Sequence, residues 1–293
     1  MKNDSFVLIV VATLLIVGCD TGFNKTKECD ITQVNGTDDY WAEYLGHDQT
    51  VDFWPDEFVN YWAVVVNKND FPNVGFKIQG EFPEARYFSY NVYGKDRNST
   101  ASIFDTQIKA ENCSSNPFKN QKKETSINKN LYTLFVVPES VSKFDTNDNV
   151  LKFIDGEEEI TLILRYYVPA RGDRAGVDLP KIEVFDLDSK ESVTIPETSN
   201  LLMTTPQILG RINAGYSFQI DNNVRFYRGD ATGLYPNNDN QYVRTFLNYD
   251  DDDVYIIRWK VPTSPKNSSE FDSADVRYSS MNLGDNITNN FDG

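Results

Sequence analysis

Histidine is almost missing from this sequence. His47 stands alone in 293 residues, so no His-rich metal signature is present, and a catalytic dyad would have to rest on His47 and its neighbour in "LGHDQT". Neighbours on a strand point to opposite faces, and no G-x-S-x-G elbow accompanies them. Serine-hydrolase and zinc chemistry are therefore disfavoured. Cysteine is scarce as well: Cys19, Cys29 and Cys113 with one histidine are a thin supply for a four-ligand zinc site. Positive charge is outweighed, 28 Lys and Arg against 44 Asp and Glu, for a net charge of -16. Such a surface repels a phosphate backbone, which argues against nucleic acid as a partner.

No apolar run of membrane-spanning length stands at the start of the chain. The stretch "FVLIVVATLLIV", Phe6 to Val17, has the length of a signal-peptide hydrophobic region. It closes in "LIVGCD", which resembles the lipobox of bacterial lipoproteins. The resemblance implies cleavage before Cys19, acylation of its thiol and new amino group, and retention on a membrane; the alternatives are an uncleaved anchor or an ordinary signal peptide. Asp20 points to inner-membrane retention in enteric bacteria, a rule that does not carry to every phylum, so the leaflet stays open. The expected organisation is a signal peptide over residues 1–18, a polar tether over 19–39 and one domain over 40–293. In an oxidising compartment Cys29 and Cys113 can pair. A loop that long would stabilise the fold by about 4 to 5 kcal/mol in the chain-entropy account; two buried free thiols are the alternative. The Asn-x-Ser/Thr triplets at Asn35, Asn98, Asn112, Asn267 and Asn286 follow from an Asn- and Ser-rich composition.

What the sequence does have is β-rich runs parted by Pro, Gly, Asn and Asp. "YWAVVV", "VGFKI", "YFSYNVY", "LYTLFVV", "ITLILRYYV", "KIEVF", "VRFY", "YVRTFL", "VYIIRWKV" and "VRYSSMN" read as strands, and only "PQILGRI" looks helical. The βα alternation of a parallel sheet is absent. The fold class is all-β, an antiparallel β-sandwich of jelly-roll type. "ITLILRYYV", apolar almost throughout, belongs at the centre of a sheet covered on both faces. The Lys-rich stretch from Ser114 to Asn130 reads as a surface loop.

The segments "GEFPEARYFSYNVYG", "LILRYYVPARGDRAGVDLPKIEV" and "VRYSSMNLGD" resemble, in order, strands and loops of a family of uncharacterised bacterial secreted and envelope proteins. The resemblance covers most of residues 60–286 and implies a jelly-roll-type fold and an envelope location only.

Candidate chemistry is dispersed. A glycosidase needs only two suitably separated carboxylates, and 44 acidic residues neither support nor exclude it. The aromatic crowd holding Trp41, Trp54 and Trp62 would stack a sugar if exposed and build the core if not. In "DTNDNVLKFIDGEEE", Asp145, Asn147 and Asn149 alternate, but Val150 stands where an EF-hand requires Gly. That stretch reads as a solvated acidic loop, with loosely bound calcium as the alternative. Arg171, Gly172 and Asp173 spell an adhesion tripeptide inside what is also plain turn chemistry.

One hexapeptide is written twice. "RYFSYN" from Arg86 and "RYSSMN" from Arg277 share four positions, and in strands Tyr87, Ser89 and Asn91 would share one face just as Tyr278, Ser280 and Asn282 would. This suggests two related halves. It makes those six residues the candidate ligand-binding set, with a hydrogen-bonded strand pair as the structural alternative. "VRYSSMNLGD" is expected to close the sandwich as a last strand, a truncated reading frame being the alternative. The reading is a membrane-anchored envelope lipoprotein with a binding or structural role and a polar ligand or glycan as partner. The alternative is a carboxylate-dependent glycan-active hydrolase.

Overall fold

Two β-sheets face each other across one apolar interior. The computed structural model describes residues 34–45, 56–119, 130–144, 149–198, 226–228, 235–245, 247, 254–271 and 273–282, and among these there is no α-helix. The strands are β1 (Ala42–Leu45), β2 (Val59–Asn67), β3 (Val74–Glu81), β4 (Ala85–Tyr93), β5 (Ser99–Phe104), β6 (Leu131–Pro138), β7 (Val150–Phe153), β8 (Glu159–Pro169) and β9 (Lys181–Asp186). A two-residue pair, β10 (Tyr227–Arg228) and β11 (Val243–Arg244), follows. One sheet runs β1-β2-β8-β4-β5, all antiparallel; the other runs β7-β6-β3-β9, where β6 and β7 are parallel. The chain changes sheet at β2–β3, β3–β4, β5–β6, β7–β8 and β8–β9, crossing the sandwich in the jelly-roll manner.

The apolar run "ITLILRYYV" is β8, the middle strand of five, buried from Ile160 to Tyr167. Its inward residues Ile160, Leu162, Leu164 and Tyr166 join Trp62, Val64, Phe88, Tyr90 and Val92 from the flanking strands. They meet Phe76, Ile78, Leu134, Val136, Ile182 and Val184 of the opposite sheet. The tyrosines of this core need partners for their hydroxyls; Tyr90 and Tyr132 share one hydrogen bond of 2.7 Å across the two sheets. Gly80 makes room for it, since a Cβ there would lie 2.4 Å from the Tyr132 hydroxyl.

The folded unit includes residues of the expected tether. Val34 is buried, and Thr37 exchanges two backbone hydrogen bonds with Ile182 at the edge of β9. Gly36 allows that approach, because a Cβ would stand 2.4 Å from the Ile182 carbonyl.

Three expected strands fail. Residues 254–261, "VYIIRWKV", and residues 277–282, the second hexapeptide, form no ladder. "YVRTFL" is reduced to the two residues of β11. Conversely β1 and β7, four residues each, are too short to stand out as strands, and β5, "STASIF", opens on small polar residues; all three hold edge positions in their sheets, where a strand needs only one neighbour. The helical-looking "PQILGRI" lies outside the described residues.

Candidate functional site

Alternation on β8 gives the five-stranded sheet a second, outer face. Thr161, Ile163, Arg165 and Tyr167 stand there. The register sets Tyr87 beside Tyr167, Ser89 beside Arg165, Asn91 beside Ile163 and Tyr93 beside Thr161. From the other side β2 brings Tyr61 to Arg165. Later parts of the chain cover this face. The Tyr235 ring meets that of Tyr93 at 5.1 Å, Asn237 donates to the Tyr167 hydroxyl at 2.9 Å, and the Tyr93 hydroxyl donates to the Pro236 carbonyl at 3.1 Å.

Arg165 sits at the middle of the layer with 3% of its surface exposed. A guanidinium does not shed its proton in a protein, so the charge is buried. It is compensated by a hydrogen bond from Nη2 to the Tyr235 carbonyl at 3.0 Å and by the faces of Tyr61 and Tyr93, each 5.6 Å away. Burial pushes the Tyr167 hydroxyl up to about 12 although Arg165 pulls it the other way, so this ring stays neutral at ordinary pH. Arg165 Nη1, Asn91 Oδ1 and Thr161 Oγ1 find no hydrogen-bond partner among the described residues.

The two hexapeptides do meet on this face, though not as paired strands. In β4, Tyr87 donates to Asp239 at 2.5 Å, while Ser89 and Asn91 are buried and bonded to each other at 3.3 Å. In the irregular second segment, Tyr278 donates to Asp56 at 2.8 Å and Ser280 donates to the same carboxylate. Tyr87 and Tyr278 both pack on Tyr167, at 5.2 and 5.3 Å. Asn282 lies at the exposed rim. Most of the six side chains are thus tied to the protein's own residues.

The expectation of two related halves is corrected by the same observation. The second segment forms no strand, and what its arginine does is to clamp. Arg277 grips Asp105 through both guanidinium nitrogens, at 3.2 and 2.8 Å, and donates to the Arg86 carbonyl at 3.1 Å. Its guanidinium lies 3.5 Å from the Phe271 ring centre. Asp105 is wholly buried; burial pushes its carboxyl up to about 6 in spite of Arg277.

The open site lies elsewhere. A cleft of about 520 Å³ is lined by Trp41, Glu43, Trp62, Arg171, Asp173, Arg174 and Leu179. Two stretches singled out separately, the tryptophan-rich segment and the Arg-Gly-Asp loop, form its two sides. Trp41 donates to the Pro180 carbonyl at 2.7 Å, and the Trp62 ring packs edge-on against Tyr166 at 5.0 Å. Both indoles are buried, so they are core side chains whose borders floor the cleft and not platforms for flat stacking. The loop is a turn with positive φ at Arg171, Gly172, Ala175 and Gly176. The Asp173 carbonyl accepts from Asn60 at 2.9 Å, and Arg171 pairs with Glu84 at 3.0 Å. The tripeptide is thus held in one shape, with Arg171 and Asp173 both on the cleft.

Of the calcium alternative, Asn149 is accounted for. Its side-chain oxygen accepts from the Lys109 amide at 2.8 Å and its nitrogen donates to the Lys109 and Thr133 carbonyls, so it joins loop to strand. Asp145, Asn147, His47, Trp54, Cys19 and Cys29 lie outside the described residues. No group of three or more His, Cys, Asp or Glu arranged for a metal ion occurs among the described residues.

Sequence reasoning missed Arg165, Asp105 and the clamping role of Arg277. A signal for the first existed: it is the one charged residue inside "ITLILRYYV".

No protein-family model and no curated protein matches this chain. Among solved structures, it is similar to an uncharacterised protein from Burkholderia cenocepacia, with 11% identity and a TM-score of 0.34, over 56% of this chain and 39% of that one. It is also similar to a protein from Vibrio parahaemolyticus, with 16% identity and a TM-score of 0.30, over 44% of this chain and 31% of that one. The chain thus spans well under half the length of either structure.

Proposed function

We propose that this is an envelope lipoprotein, held to a membrane by acyl chains on Cys19, whose sandwich binds a polar ligand in the Trp41–Arg174 cleft without transforming it. The observation that carries the binding half is the composition of that cleft. Two arginines, two carboxylates and the borders of two indoles converge from segments far apart in sequence, a mostly polar lining with donors and acceptors enough to orient a polar ligand. Arg171, Asp173 and Arg174 sit on a loop fixed by backbone bonds at Glu84, Gly172 and Ala175, so little ordering remains to be done on binding. Support for the anchor is the lipobox-like "LIVGCD" and the arithmetic of lipidation, about 0.8 kcal/mol per buried methylene.

The proposed Cys29–Cys113 bridge belongs to the same reading, since it requires an oxidising compartment.

The test has two arms. Cys19→Ser should move the protein from the membrane pellet to the soluble fraction; equal sedimentation of wild type and variant removes the anchor. A glycan and polar-ligand panel should give a binder whose affinity falls at least tenfold in Asp173→Asn and Arg174→Ala, a loss of about 1.4 kcal/mol or more. Glu43 and Asp173 lining one cleft favour the second reading, hydrolysis by paired carboxylates. Release of reducing ends that Glu43→Gln abolishes would establish that reading and overturn binding without turnover.

A further inference from the structure

The four charged side chains that line the Trp41–Arg174 cleft are two of each sign, Glu43 and Asp173 against Arg171 and Arg174, but they are not equally available. Arg171 is already engaged. Its guanidinium pairs with Glu84 at 3.0 Å, and its stem lies over Gly176, where a Cβ would stand 3.3 Å from the Arg171 Cδ. Among the described residues, the side chains of Glu43, Asp173 and Arg174 enter no ion pair; the Asp173 carbonyl, not its carboxylate, accepts from Asn60. All three are exposed. With the Arg171–Glu84 pair neutral in itself, the cleft offers a ligand two carboxylates and a single guanidinium, and so an excess of negative charge.

That excess decides between ligand classes. An anion must meet two carboxylates to reach one guanidinium, and the chain's net charge of -16 repels it on approach. A neutral ligand would take Glu43 and Asp173 out of water and set nothing of opposite sign beside them. A cation balances the site. An ammonium has three donors and no acceptor, so it suits the carboxylates and leaves Arg174 unmatched, whereas a hydroxyl can accept from the guanidinium. Resting on the reading of this cleft as a binding site, we infer that its ligand carries a protonated amine among hydroxyls, as an unacetylated amino sugar does. Glu43 and Asp173 take the ammonium, and Arg174 donates to a hydroxyl. The volume of about 520 Å³ is within the range of small-molecule sites.

The experiment compares two disaccharides that differ only in this group, the glucosamine disaccharide and its fully N-acetylated form. Both are titrated into the full chain by calorimetry, in detergent where acylated, at mildly acidic pH and near-physiological salt. The amino form should bind at least tenfold more tightly than the acetylated form. Glu43→Gln and Asp173→Asn should each weaken it about tenfold or more, the loss of a hydrogen bond between charged groups. Glu191→Gln removes an exposed carboxylate beyond the far end of β9 and should leave the affinity unchanged. Equal or tighter binding of the acetylated form overturns the amine and leaves the cleft as a binding site. A loss in Glu191→Gln as large as that in Glu43→Gln also overturns it, because the attraction would then belong to the whole surface. If neither sugar binds, the amino-sugar inference fails; the cleft reading fails with it only if the wider ligand panel is silent as well.

Discussion

Two regions of this chain have similar β-rich composition and different fates. Residues 59–186 hold eight of the eleven strands found among the described residues and satisfy their backbone through ladders. The described residues of 226–282 hold two strands of two residues each and meet the body through side chains. These contacts are Tyr235 and Asn237 on the outer face of the large sheet, Tyr278 on Tyr167, and Arg277 on Asp105. The contrast teaches that β propensity describes a side chain's fit to a half-buried pleated surface and not a backbone commitment.

The comparison breaks first if the later region merely lies on the body. Arg277→Met should then be harmless. We expect instead a loss of about 3 to 5 kcal/mol at pH 7 in denaturant titration, the cost of leaving a buried charge without its partner. The cost should shrink on acidification. Asp105 has a folded-state carboxyl raised to about 6 from the ordinary 3.8, so its contribution is fully favourable below pH 3.8 and is lost as pH rises through about 6. By the same sign, the stability of wild type relative to Asp105→Asn should rise between pH 7 and pH 4, by on the order of 3 kcal/mol. An unchanged difference across that range would reject the buried-carboxylate account.

For the ladder region, Leu164→Ala should cost about 2 to 5 kcal/mol through lost burial and a cavity, since Leu164 is fully buried at the centre of β8. Its effect should appear as a lower melting temperature without change in the pH profile. The smallest expected effect sharpens the contrast further. Tyr278→Phe removes one hydrogen bond to Asp56 and keeps the ring on Tyr167, and should cost about 1 kcal/mol. A loss as large as that of Leu164→Ala would mean that the later region carries the fold and does not decorate it.

Much of the sandwich was legible because strands buried on one or both faces write their burial as pattern. β2, β3, β4, β6, β8 and β9 all carry runs that name them. β5, "STASIF", does not, because an edge strand under loops needs little apolar surface. The sites were less legible. The cleft joins Trp41 and Trp62 to Arg171 and Asp173, residues over a hundred positions apart, and no local pattern encodes such a meeting. The hexapeptide repeat was visible, but identical letters took different roles: Arg86 reaches a backbone carbonyl at Pro265 whereas Arg277 neutralises Asp105. Tertiary neighbours assigned those roles.

The position of β8 also sets a timetable. β2 and β4 have no direct contact as sheet neighbours; each waits for β8, whose residues pair with Val59–Asn67 on one side and most of β4 on the other. During synthesis, both earlier strands must therefore remain with an open edge until about residue 169 has emerged, a long-range closure of the kind that slows folding and exposes edges to aggregation. The N-terminal segment waits longer still, because Thr37 has its partner only when Ile182 has been made. A chain stalled before β8 would carry the β1–β2 and β4–β5 pairs each with one apolar edge open, and it is this window, more than the finished sandwich, that a chaperone would have to guard.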